Sequence, residues 1–195
     1  MEIINHRCNT KEKLIATPKE YGIEIDIRSV GEKLILHHEP HMIGEYFEDW
    51  IKYFNHGTLI LNIKEEGLEP AICDLMKQNN IEKFFFLDQS FPFLIKTVKS
   101  GESRTAIRIS EFESINTALT LAGLVDWVWI DYFTKLPIDK EQSLILKRAG
   151  FKICLVSPEL QNHSTLKMQT TKDHLKDNQI IYDAVCTKFP ESWLS

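Results

Sequence analysis

TLILNIKEEGLEPAICDLMKQNNIEKFFFLD (58–88) reads as a strand, a helix and a second strand. TLILNIK (58–64) and KFFFLD (83–88) are apolar runs of strand length. LEPAICDLMKQNN between them is helix-like and closes on asparagine, as helix C-termini do. Strands joined through a helix pair in parallel. The alternation extends both ways, to EIINHR (2–7) and GIEIDIR (22–28) before it, and to TAIRI (105–109), DWVWIDYF (126–133), KICLVS (152–157) and DAVCTK (183–188) after it. Eight strands alternating with helices predict an α/β protein, a compact (β/α)8 TIM-type barrel. At 195 residues the chain is just below the usual size of that fold, so its helices and loops must be short. An open doubly wound sheet is the runner-up, but no Gly-rich turn follows the first strand. No linker-like or low-complexity tract interrupts the pattern, and a single domain over residues 1–195 is expected.

Composition narrows the function. The net charge is −5 with no basic stripe, which argues against nucleic acid and for a small partner. No segment approaches the length of a membrane span, and the N-terminus resembles neither a signal peptide nor an anchor. Cys8, Cys73, Cys154 and Cys186 are scattered without CxxC spacing, which speaks against a zinc site or a disulfide framework and for reduced thiols in the cytoplasm.

Polar residues recur at the C-terminal ends of the expected strands, where barrels of this kind build their active sites. His6 and Arg7 close the first strand, Glu24 and Asp26 lie late in the second, and Asn62 and Lys64 close the third. Asp88, Arg108, Asp131, Ser157 and Thr187 follow on the others. Asp88, before QSFP, is expected to cap the next helix, and Arg108 and Asp131 suit either an ion pair or substrate binding. Glu24 and Asp26 share one strand face at i, i+2. Two such carboxylates repel unless a cation lies between them, which points to a metal. The segment KLILHHEP (33–40) adds an extra short strand that ends in a histidine pair and an acid.

Taken in order, NHRCNT, IEIDIR, LILHHEP, LNIK and DAVCTKFPE resemble the glycerophosphodiester phosphodiesterase family, among the phospholipase C-like barrel phosphodiesterases. The likeness is strongest in the first 65 residues and is closest to a compact bacterial subset. It implies that His6 and His38 are the catalytic histidines, and that Arg7 and Lys64 hold phosphate. It assigns Glu24 and Asp26 to the metal, with Asn62 where the family has a third acid. Cys8 stands in place of a glycine, and Glu39 in place of an aspartate. The implied function is metal-assisted hydrolysis of a small glycerophospho- or polyol/sugar-phosphodiester by histidine general acid–base catalysis. Mg²⁺ or Ca²⁺ would be weakly bound, since Asn62 brings no charge. The alternative is a barrel that has lost turnover and only binds a phosphorylated ligand. Retention of both histidines favours the enzyme, and Asn62 favours the binder. Which histidine is the acid, which alcohol is released and the oligomeric state all stay open.

Overall fold

The computed structural model describes residues 1–194, which fall into two compact units. One is Asn5–Glu102, and the other is Met1–Ile4 with the chain from Ser103 onward. The chain opens with β1 (Glu2–Asn5). The Asn5–Glu102 unit then contains α1 (Lys11–Ala16), β2 (Gly22–Val30), β3 (Lys33–Leu36), β4 (Glu45–Tyr46), α2 (Phe47–Trp50), β5 (Leu59–Ile63), α3 (Glu69–Gln78), β6 (Phe84–Leu87) and α4 (Phe91–Lys99). The other unit continues with β7 (Ala106–Ile109), α5 (Ile115–Leu119), β8 (Trp127–Ile130), α6 (Lys140–Arg148), β9 (Lys152–Val156), α7 (Thr165–Asp177) and β10 (Ala184–Thr187). All eight strands expected from the sequence are present; β2 runs two residues further than expected, and the others are shorter by one to three residues at one or both ends.

In the Asn5–Glu102 unit the strand order is β4-β3-β2-β5-β6. β2, β5 and β6 run parallel, with Asp26 opposite Asn62 and Asn62 opposite Leu87. β3 and β4 are antiparallel additions, and Leu36 lies opposite Ile27. This core is aliphatic and aromatic: Ile23, Ile25, Ile27, Leu59, Leu61, Phe86, Phe47 and Trp50 cluster together. Burying one such side chain completely stabilises by about 1.5–3 kcal/mol. The Trp50 indole also finds its acceptor, donating to the Cys8 carbonyl at 2.9 Å.

In the second unit the order is β1-β10-β9-β8-β7, with β7 to β10 parallel. Trp127 and Trp129 are both buried in β8, as packing residues would be. Asp139 caps α6 through a reciprocal capping box with Gln142. Asp183 accepts from the Ile153 N–H at 2.7 Å and pairs with Lys147. Arg108 and Asp131 form an ion pair at 3.5 Å. Among the described residues no helix is long and apolar enough to cross a membrane, and the four cysteines carry free thiols.

Gly44 closes the loop between β3 and β4, where a methyl group would overlap the Leu36 carbonyl oxygen. Backbone cannot yield as a flexible side chain can, so Gly44→Ala should destabilise by about 1–3 kcal/mol, in the manner of an overpacked core. Urea unfolding monitored by Trp fluorescence measures this.

Candidate active site

The site begins at β2. Glu24 and Asp26 are both wholly buried, on the same strand face. Groups from three other segments surround them. The turn after β1 supplies His6, Arg7 and Asn9. The Arg7 N–H donates to Glu24 Oε2 at 2.7 Å, and His6 Nε2 lies 3.7 Å from the same oxygen. Asn9 grips Asp26 twice, accepting from its backbone N–H at 2.9 Å and donating to Oδ2 at 2.9 Å. Arg7 Nε is 3.6 Å from that Oδ2. From β5, Asn62 Nδ2 donates to Glu24 Oε1 at 3.0 Å. Just beyond β5, Lys64 Nζ lies 3.3 Å from Asp26 Oδ1 and 3.3 Å from Asp88 Oδ2.

Thus His6, Arg7, Glu24, Asp26, Asn62 and Lys64 meet in one contact chain. His38 lies just after β3, the strand antiparallel to β2, and joins the site segments through its carbonyl, which accepts from Arg28. The His37 N–H donates to the Asp26 carbonyl at 3.1 Å, so the histidine pair runs alongside the acid pair. His38 Nδ1 and Glu39 Oε1 are 2.7 Å apart. That hydrogen bond and the His38 charge hold the Glu39 carboxyl below its usual range.

Four residues belong to this constellation that sequence reasoning left out or read otherwise. Arg28 donates to the His38 carbonyl at 3.1 and 2.9 Å and to the Lys64 carbonyl at 3.4 Å, tying two site segments together. Asn9, within NHRCNT (5–10), holds Asp26 through both its amide oxygen and its amide nitrogen. Lys13, from α1, donates to the His6 and Arg7 carbonyls at 2.6 and 3.2 Å. Asp88 does not cap α4: Ser90 holds that position, and Asp88 pairs with Lys64 instead. Arg7 and Asp88 both adopt left-handed backbone, at φ 53 and 60. Non-glycine residues pay for that conformation with strain, and such strain concentrates at functional sites.

Cys8 is buried and its thiol is pushed up to about 11, chiefly by burial, so it stays protonated and packs rather than reacts. Glu24 is raised to about 7 by burial first and by the negative charge of Asp26 second, against the opposing Arg7 N–H bond.

Among the described residues no group of three His, Cys, Asp or Glu is arranged to hold a metal. Among the buried oxygens that nevertheless lack a hydrogen bond are Asp26 Oδ1 and Asn62 Oδ1 at this site. Lys64 is near the first but outside hydrogen-bond geometry. These oxygens belong to residues directly opposite each other in the β2–β5 ladder. Two unsatisfied oxygens from paired positions, beside a second buried carboxyl, fit a hard cation. The set carries at most two negative charges.

By sequence, no family model matches the chain, and neither does any curated protein. By structure it matches a glycerophosphodiester phosphodiesterase from Agrobacterium tumefaciens str. C58, with 12% identity and a TM-score of 0.71 over 99% of this chain and 97% of that one. It also matches a glycerophosphoryl diester phosphodiesterase from Parabacteroides distasonis, with 14% identity and a TM-score of 0.66 over 98% and 84% of the two chains. The fold is therefore that of these structures, over nearly the whole chain.

The Glu24 carboxyl should titrate near pH 7 in carbon NMR. An acid raised in the folded state favours folding at pH below its unfolded value. That contribution is lost as pH rises from about 4.5 through about 7. Titration at an ordinary glutamate value would remove the burial argument.

Proposed function

We propose that this protein is a phosphoric diester hydrolase of the glycerophosphodiester phosphodiesterase family. Its substrate would be a small glycerophospho- or polyol/sugar-phosphodiester in the cytoplasm, handled on a (β/α)8 barrel formed by residues 1–195. The contact chain from His6 through Glu24, Asn62, Asp26 and Arg7 to Lys64 carries this reading. Support comes from a fold shared with proteins of that activity and from the ordered motifs that resemble the same family. The free thiols suit a reducing compartment.

A phosphodiester anion repels nucleophiles, so catalysis needs positive charge at its non-bridging oxygens. Arg7, with a side chain 42% exposed, offers a planar fork to two of those oxygens. Lys64 adds a movable point charge. A divalent cation such as Mg²⁺ or Ca²⁺, held weakly by Glu24, Asp26 and Asn62, would supply further charge neutralisation. One histidine accepts the proton of the attacking hydroxyl as the new P–O bond forms. The other donates a proton as the bond to the leaving alcohol breaks, so the two transfers balance. Glu39 accepts from His38 Nδ1–H, which leaves Nε2 as the atom that exchanges a proton with substrate.

The competing reading, a ligand-binding barrel without turnover, draws on Asn62. A panel of phosphodiesters assayed with Mg²⁺, Ca²⁺ or no added cation separates the two. Hydrolysis is expected, with kcat falling by about a hundredfold or more in His6→Ala and in His38→Ala. Arg7→Ala should weaken phosphodiester binding more than either histidine change does. Binding without turnover across the panel would select the binder. Asn62→Glu should tighten cation binding in calorimetry by restoring a third carboxylate, and unchanged affinity would remove Asn62 from the metal set.

A further inference from the structure

A second cluster of cationic and hydroxyl groups lies in the unit that begins at Ser103. Tyr132, Lys135, Leu136, Lys167, Thr170, Thr171 and His174 line a pocket of about 360 Å³. Lys167, Thr170, Thr171 and His174 are spaced i, i+3, i+4, i+7 along α7, so they form one stripe. The loop after β8 faces that stripe with Tyr132 and Lys135. Three of the lining residues are basic and none is acidic, in a protein whose 28 acids outnumber its 23 lysines and arginines.

The cations are not consumed by the protein. Neither the Lys135 nor the Lys167 ammonium has a hydrogen-bond acceptor or an ion-pair partner among the described residues; Lys167 only lies 5.9 Å over the Tyr132 ring. One acid beside the loop is held by backbone donors. Glu111 accepts from the backbone N–H groups of Phe133, Thr134 and Lys135 and from the Thr134 hydroxyl. It thereby fixes the loop that presents Lys135. At the pocket wall Tyr132 is 97% buried, being 3% exposed. Its hydroxyl has one long contact, 3.5 Å to Thr171 Oγ1, whose own proton goes to the Lys167 carbonyl at 2.8 Å. A buried hydroxyl with so weak a partner, two ammonium groups and the His174 imidazole, whose Nδ1 lies 3.1 Å from Asn178 Nδ2, line one space.

We infer that this pocket is a second anion site, which takes a small phosphate or phosphomonoester. The volume lies within the range of small-ligand sites, and the groups supply charge-assisted donors and no repelling carboxylate. The site shares no residue with the Arg7 and Lys64 cluster and does not depend on the proposed hydrolysis.

Amide NMR of the full chain, titrated with inorganic phosphate and then with glycerol 3-phosphate, tests this. Saturable shifts are expected at residues 132–136 and 167–174 with both probes, and they should persist in Arg7→Ala. The double change Lys135→Ala with Lys167→Ala should weaken binding there by about tenfold or more, as loss of charge-assisted contacts does. Thr170→Asp, which places a carboxylate on the same stripe, should weaken it too, while melting temperatures confirm that both variants fold. A response to glycerol 3-phosphate alone would assign the site to the ester rather than to free phosphate. The inference is overturned if those amides do not shift saturably, if the shifts survive both variants, or if they vanish in Arg7→Ala.

Discussion

The structure of the Asn5–Glu102 unit is organised by the burial of two carboxylates on one strand. Glu24 and Asp26 reach the interior side by side, and taking each charge out of water costs several kcal/mol even after relaxation. Nearly every polar contact around them answers that cost. Asn9, Arg7 and Lys64 surround Asp26, while the Arg7 N–H and the Asn62 amide satisfy Glu24. The compensation is unequal. Asp26 has two cations nearby, whereas Glu24 has neutral donors and is pushed toward protonation.

A backbone device accompanies this electrostatic one. For the Arg7 N–H to point at Glu24 the chain adopts left-handed geometry, and Lys13 stitches the adjoining carbonyls to α1. On the other side, Arg28 spans the carbonyls of His38 and Lys64, so the hairpin bearing His38 cannot drift from the end of β5. The site is thus held by main-chain contacts as well as by side chains, which suits chemistry that needs its groups fixed in advance.

The parallel strands were legible because each is a short apolar run between helix-like segments. The pairing of Glu24 with Asp26 followed from the two-residue period of a strand. What stayed hidden had no period to betray it. β4 is only two residues long, and α2 a single turn that merges into a tighter one at Ile51–Tyr53. Arg28 looks like one more polar residue in an alternating strand, and its role depends on carbonyls supplied from positions 38 and 64. Asp88 carries a helix-capping signature, yet a lysine 24 residues away claims it. Local rules read local structure. Such partners are set by which strands become neighbours.

One consequence concerns time rather than space. Every residue of the contact chain, from His6 to Asp88, lies in the Asn5–Glu102 unit. A ribosome extending the chain at about 5–20 residues per second therefore releases these residues well before it finishes β10. The acid pair and its counter-charges emerge together, and no carboxylate on β2 has to await a cation encoded in the second half of the message.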